Sequence, residues 1–307
     1  MNALKQQFLE VSDALELGNP AIIEKDFWVV ALLAKLAKVS PEYHQMVFSG
    51  GTALAKSNVK ILRMSEDVDI KIIPNQAFDE LSRAKKKAVR KAWVNEIEQA
   101  ITHSERFTVE TRSVRDEYRY VEFELRYPQQ FSQVPCLRPI IKLELIETIP
   151  LLNVESRSIQ SLVAELYQQP HEVSSFDCVS VKIISMLRCT MSVKRNTERS
   201  DDVALVRHIY DVHCITKLTM SGLNSIDGLF KAVLEEDIAR FGNQHAEFVA
   251  NPKQELQLGL KELEENPISR QRFQEFVTPM VFNTEPHDFD TCFASFKRIA
   301  ASLIEKI

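Results

Sequence analysis

Two of the seven glycines in the chain stand side by side in Ser49-Gly50-Gly51-Thr52, and fourteen residues separate Thr52 from the first member of an Asp67-x-Asp69 pair. A Gly-Gly-Thr turn lets backbone N–H groups approach an anion with no Cβ in the way, and a helix start behind it favours phosphate. Asp67 and Asp69, two apart on an alternating segment, point to the same side. Paired carboxylates of this kind can hold Mg²⁺, a hard cation that takes oxygen ligands and is often shared with substrate phosphates. Glu144, in another alternating segment, is a third acid that would allow two ions, the arrangement that stabilises both attacking and leaving oxygens in phosphoryl chemistry. Each feature alone has a plainer reading: a tight turn, a charged strand edge, a same-face pair of Glu144 with Lys142. Turn and acid pair together at this spacing favour a phosphate and metal site.

Elements of a definite kind must position these residues. Met46–Phe48 followed by the Gly-Gly turn and Ala53-Leu54-Ala55-Lys56 reads as strand, turn and helix start. Residues 68–73 alternate, with Val68, Ile70 and Ile72 on one face and Asp67, Asp69 and Lys71 on the other. Two more runs alternate: Val121, Phe123, Leu125 and Tyr127 against Glu122, Glu124 and Arg126, then Ile141, Leu143 and Leu145 against Lys142 and Glu144. Upstream, 3–17 and 20–38 have helical periodicity, with Gly18 ending the first helix, Asn19 capping the second and Pro20 at its first position. Residues 77–103 read as one long helix with Lys85 to Lys91 on its solvated side. Beyond about residue 160 helical patterns take over, at 175–192, 201–218, 226–241, 253–265, 268–278 and 289–306. The expected fold is α+β, a small mixed sheet with flanking helices in 1–160 and a helical domain in 161–307.

Composition excludes several classes. With 307 residues, 45% hydrophobic and 26% charged, the chain has ample core for a folded protein. A net charge of −5 argues against a generic nucleic-acid coat or a polybasic membrane binder. The charge is nevertheless segregated: Lys56 to Lys91 holds ten bases against five acids, and Ser180 to Arg199 five against one, whereas Gly222 to Arg270 holds nine acids against five bases. An anionic substrate in one groove is compatible with that distribution. The five cysteines form no CxxC pair or zinc-ligand spacing, which suits reduced thiols. MNALKQQFLE has no basic flank leading into an apolar run, and Phe27 to Ala34 is too short to span a membrane, so the expectation is a cytoplasmic protein without a membrane partner. His208 and His213, five apart, do not have the i, i+4 spacing of a helical metal pair and are read as structural.

The segment SGGTALAKSNVKILRMSEDVDIKI resembles the first motif of the nucleotidyltransferase superfamily, in the form used by the AbiEii/AbiGii toxin family. EKDFWVVALL (24–33) is similar to the family's N-terminal segment, and KIISMLR (182–188) and RHIYDV, with Asp211, resemble its later motifs. Two positions depart from the pattern: Val181, where the residue before the motif lysine is often acidic, and His208, where some members carry a second acid. The resemblance covers about 20–215 and implies a polymerase-β-like core. It implies that Gly50, Gly51 and Thr52 hold the triphosphate of an NTP, that Lys56, Arg63 and Ser65 support it, and that Asp67 and Asp69 bind Mg²⁺, with Mn²⁺ an alternative. Lys182 would neutralise phosphate charge, Glu144 would complete a two-metal site or act as base, and Asp211 would orient Lys182 or the nucleotide. The reaction implied is transfer of a nucleoside monophosphate to a hydroxyl, with an RNA acceptor such as the tRNA 3′ end, an antitoxin partner, and a place in a toxin–antitoxin or phage-defence system. The alternatives are a non-catalytic nucleotide- or RNA-binding module and an enzyme that nucleotidylates or phosphorylates a protein side chain.

Overall fold

The alternating segments pair into one sheet because each carries a face of branched and aromatic residues that is stabilised by leaving water. The computed structural model describes residues 3–56, 61–103, 106–132, 134–148, 158–169, 179–195, 201–218, 226–282 and 287–307. The chain divides into two compact units, Met1–Asp177 and Cys178–Ile307. The first holds α1 (Ala3–Ala14), α2 (Pro20–Leu36), β1 (His44–Ser49), α3 (Gly50–Lys56), β2 (Val68–Pro74), α4 (Gln76–Asp79), α5 (Arg83–Thr102), β3 (Thr108–Arg115), β4 (Tyr120–Arg126), β5 (Ile141–Glu147) and α6 (Leu162–Leu166). The five strands lie in the order β1-β2-β5-β4-β3, with β2 and β5 parallel and the other neighbours antiparallel. This is the expected small mixed sheet with flanking helices.

Val68, Ile70 and Ile72, Val121, Phe123 and Leu125, and Ile141, Leu143 and Leu145 form one buried cluster with Trp28, Val29, Leu32 and Leu33 of α2 and Trp93, Val94 and Ile97 of α5. The opposite face of the sheet carries Asp69, Lys71, Lys142, Glu144, Glu122 and Glu124. At the start of α2 the side chain of Asn19 accepts the Ala21 N–H at 2.8 Å, with Pro20 in the first turn and Gly18 at φ +65°. Strand β3 has no counterpart among the expected elements. TVETRSVR lies on the sheet edge and is largely exposed, so it lacks the apolar alternation that marks its neighbours. The expected single helix over 77–103 is two, since Ser82 caps α5 through the Lys85 N–H and α4 ends at Asp79.

The division falls at Asp177/Cys178, against an expected change at 160/161. Helix α6 is tied to the first unit, where Asp26 Oδ2 accepts the Leu162 N–H at 2.7 Å and Tyr167 donates to Glu10. The second unit is helical in its described parts: α7 (Val179–Arg195), α8 (Arg207–Leu218), α9 (Ile226–Phe241), α10 (Ala246–Ala250), α11 (Pro252–Glu265), α12 (Pro267–Phe276) and α13 (Phe289–Glu305). Its core includes Leu187, Ile209, Tyr210, Phe230, Leu256 and Phe296. Arg188 ties α7 to α9 through Asp237 at 2.5 Å while its guanidinium stacks on Phe241. Among the described residues no helix is long and apolar enough to cross a membrane.

Candidate active site

Gly50 and Gly51 open α3 directly after β1, and Gly50 lies against Asp69 near the start of β2. Ser49 is the register partner of Asp69, and its hydroxyl donates to the Asp69 carbonyl at 3.2 Å. Gly50 sits at φ +80°, a conformation that costs any residue with a Cβ. A Cβ there would fall 1.8 Å from Asp69 Oδ2 and 2.7 Å from its Cγ. The glycine is therefore required twice, for its backbone angle and because the Asp69 carboxylate occupies the space a side chain would fill.

The remaining polar residues of the motif turn inward. Thr52, 1% exposed, donates its hydroxyl to the Asp67 carbonyl and shares a 2.9 Å hydroxyl–hydroxyl bond with Ser65 Oγ. Arg63 is buried, and its Nη1 donates to the Met64 carbonyl at 2.8 Å. Lys56 pairs with Asp26 of α2 in a nearly dry contact. Thr52, Ser65 and Arg63 thus brace the segment that presents the two aspartates, and Lys56 ties α3 to α2. Ser57 to Lys60 lie outside the described residues.

A second set of buried charges, from the 24–33 segment and Glu66, lies on the Asp67 side of the site. Lys25 is fully buried and donates to Glu66 Oε2 at 2.5 Å, to the Arg138 carbonyl at 2.7 Å and to the Ile140 carbonyl at 2.8 Å. Glu66 also accepts the Arg138 N–H at 2.9 Å. The Arg138 side chain then reaches Asp67, Nη1 to Oδ1 at 2.5 Å, with both side chains about a third exposed. Next to Lys25, buried Glu24 accepts the N–H groups of Gln130 and Phe131, and burial pushes its carboxyl up despite those bonds. The signal was present in the sequence as Glu24-Lys25-Asp26, three adjacent charges inside an otherwise apolar helix.

Parallel pairing puts Glu144 opposite Asp69, and Glu122 lies opposite Glu144 on the next strand. Lys142 bridges the two glutamates, 2.5 Å from Glu144 and 3.0 Å from Glu122. Burial works against the Lys142 charge, but both carboxylates raise its pKa above the ordinary value. Tyr120 donates to Glu122 at 2.6 Å, and burial together with Glu144 and Glu122 pushes the phenol well up. Asp67 and Asp69 supply the hard oxygen donors that Mg²⁺ takes in company with substrate phosphates, so they fit an ion shared with a nucleotide. Among the described residues no group of three or more His, Cys, Asp or Glu is placed to hold a metal ion, and Glu144 is engaged by Lys142.

In the second unit Asp211 lies on α8, wholly buried, with His208 Nδ1 at 3.9 Å. His213 is buried with Nδ1 at 2.9 Å from Ser295 Oγ. Lys182 falls within α7, but its side chain lies outside the described residues. Cys136, Cys189, Cys214 and Cys292 are free thiols.

The chain is similar in fold to MenT4, a nucleotidyltransferase toxin from Mycobacterium tuberculosis H37Rv. The TM-score is 0.56 at 16% identity, with 96% of this chain and 89% of that one covered. A search of curated protein sequences returns no match. The sequence model for the nucleotidyl transferase AbiEii toxin of type IV toxin–antitoxin systems matches residues 31–295, a span that takes in the Gly-Gly turn, both aspartates and the α7 and α8 motifs. The chain belongs to the AbiEii nucleotidyltransferase toxin family.

Proposed function

We propose that the chain transfers a nucleoside monophosphate from an NTP to a hydroxyl of an RNA acceptor, such as the tRNA 3′ end, with pyrophosphate leaving. The observation that carries this reading is the packing of the Asp69 carboxylate against Gly50, with Asp67 just before β2 and Glu144 opposite Asp69 on β5. A turn stripped of side chains, next to two oxygen donors, suits a triphosphate and its cation. Asp67 and Asp69 would hold Mg²⁺, or Mn²⁺ in its place. The ion, when bound, would supply charge neutralisation at the reacting phosphate. Gly50 and Gly51 present backbone to the triphosphate, and Thr52 and Ser65 hold the Asp67 segment in place. Glu144 accepts the proton of the attacking hydroxyl as its oxygen bonds to the α-phosphorus and the bond to pyrophosphate breaks. A two-metal version would require Glu144 to leave Lys142. The family pattern assigns Lys182 to phosphate neutralisation and Asp211 to orienting it or the nucleotide. Membership of a toxin family supports an antitoxin as partner and a role in a toxin–antitoxin or phage-defence system, and free thiols fit a cytoplasmic setting.

The test is incubation of the purified chain with Mg²⁺, each of four α-labelled NTPs in turn and total bacterial RNA, with the Asp67→Ala/Asp69→Ala double variant as control. Label on RNA with the wild type alone is the expected result. Label on protein instead would move the acceptor to a side chain. NTP binding with no label under any condition would leave a binding module.

A further inference from the structure

We propose that a cavity on the face of α2 turned away from the sheet receives one nucleotide of the RNA acceptor, with its flanking phosphates on Lys35, Lys38 and Arg106. This rests on the RNA reading above and adds a second contact with the same strand, apart from the reacting hydroxyl. The cavity follows from the sequence of α2. Trp28, Val29, Leu32 and Leu33 join the core against the sheet, whereas Phe27, Ala31 and Ala34, at i, i+4 and i+7, share the other face of the helix. Alanine at two of those three positions leaves a space of about 530 Å³, which Phe107, Ile159 and Ala164 of α6 close from the other side. That volume is in the range of small-ligand sites. All of its lining belongs to the first unit.

The lining carries three chemistries that a nucleotide matches together. Lys35 and the exposed Lys38 and Arg106 bring three positive charges, and among the described residues no acid lines the cavity and none of the three side chains has a hydrogen bond or ion pair. The carbonyls at the end of α2 favour Lys35 and Lys38 there, but Arg106 comes from the segment before β3. Burial, and then the charges of Arg106 and Lys38, push the Lys35 ammonium down, so the three stand close enough to repel one another and an anion relieves them. Phe27 and Phe107 supply aromatic surface of the kind on which unpaired bases pack. The side-chain amides of Gln160 and Gln169 each hold a donor beside an acceptor, the pattern that pairs with a base edge, and among the described residues neither amide has a partner. An acidic peptide would answer the cations and leave the amides and aromatic surface unused.

The experiment measures binding of fluorescently labelled bulk bacterial tRNA to the full-length chain by anisotropy, across a series of salt concentrations. Lys38→Gln/Arg106→Gln changes two exposed residues and so spares the fold. It is expected to bind RNA about tenfold more weakly, the loss of charge-assisted phosphate contacts. Its slope of log affinity against log salt should shrink by roughly 0.7 to 1.4, for one or two phosphates released. Ala34→Leu, which fills the cavity without touching a charge, should weaken RNA about fivefold with the salt slope unchanged, the size of a lost base contact. In the labelling assay both variants should raise the KM for RNA and leave the KM for NTP at the wild-type value. Unchanged RNA affinity and salt slope in the double variant, with wild-type RNA still bound and labelled, overturns the cavity and spares the reaction. RNA binding that weakens as expected, with no label from any NTP, upholds the cavity and fails the reaction reading alone. Poly-glutamate bound as tightly as RNA, and weakened alike in the double variant, makes this a peptide site and overturns the proposal, as does an absence of RNA binding by the wild type.

Discussion

Substituting Gly50 by alanine should disable the site through Asp69, and a matched control exists within the same chain. The new Cβ would start 1.8 Å from Asp69 Oδ2, so the carboxylate must retreat by about 1.4 Å to reach a tolerable 3.2 Å contact. A misplacement of about 1 Å at a reacting centre costs on the order of 10²-fold in rate. The backbone angle of φ +80° adds about 1–2 kcal/mol of strain for a residue with a Cβ. Gly18→Ala carries the same kind of strain at φ +65°, but nothing lies within 4 Å of its Cβ position. Both variants should therefore lose comparable stability in urea. Only Gly50→Ala should lose about 10²-fold in labelled-NTP turnover and bind Mn²⁺ more weakly. If Gly50→Ala turns over NTP within twofold of Gly18→Ala, the close approach of Asp69 to the turn is not what the reaction depends on.

Other outcomes follow from the charges around the site. Lys25→Met leaves Glu66 buried beside an apolar side chain and should cost about 3–5 kcal/mol in urea unfolding, with part recovered in Lys25→Met/Glu66→Gln; a loss under about 1 kcal/mol would contradict the pairing. Glu147 is pushed up by burial, yet bonds from His44 and Arg90 outweigh that and hold it at about 2 against 4.5. Its contribution, about 2 kcal/mol after allowance for solvent screening, is fully present above pH 4.5 and is lost as pH falls toward 2. Glu147→Gln should flatten the stability profile across that window in acid titrations followed by circular dichroism, and an unchanged profile would refute the assignment. Lys182→Ala should abolish labelling. Asp211→Ala should also lower the melting temperature, because that carboxylate is wholly buried, and a melting temperature equal to the wild type's would separate Asp211 from the core.

What could be read in the sequence follows the range of the interaction concerned. The cap of α2 is local, written in Gly18-Asn19-Pro20, and it forms as expected. The faces of β2 are nearly as local, since the two-residue repeat of a strand fixes Asp69 and Lys71 on one side and Val68, Ile70 and Ile72 on the other whatever lies beside them. Edge strand β3 has no buried face to reveal it, and α5 begins where a single serine cap outweighs a continuous helical pattern. Within the site, the residue types of the motif were legible and their directions were not. Thr52, Lys56, Arg63 and Ser65 look like phosphate ligands in sequence, yet Thr52, Ser65 and Arg63 make hydrogen bonds within the segment between α3 and β2, and Lys56 pairs with Asp26 of α2. A short connection that holds two carboxylates at the surface has to satisfy its own buried backbone first, and hydroxyls and cations near in sequence are the groups within reach. The counter-ion of Asp67 comes from farther away. Arg138, just before β5, reaches Asp67, and Glu144 stands opposite Asp69, because β5 pairs parallel to β2, a register set by the apolar face of the whole sheet and not by any residue in the motif. Charge spacing in the sequence can therefore pick out the acid pair, while the cation beside Asp67 becomes visible only when the register is known.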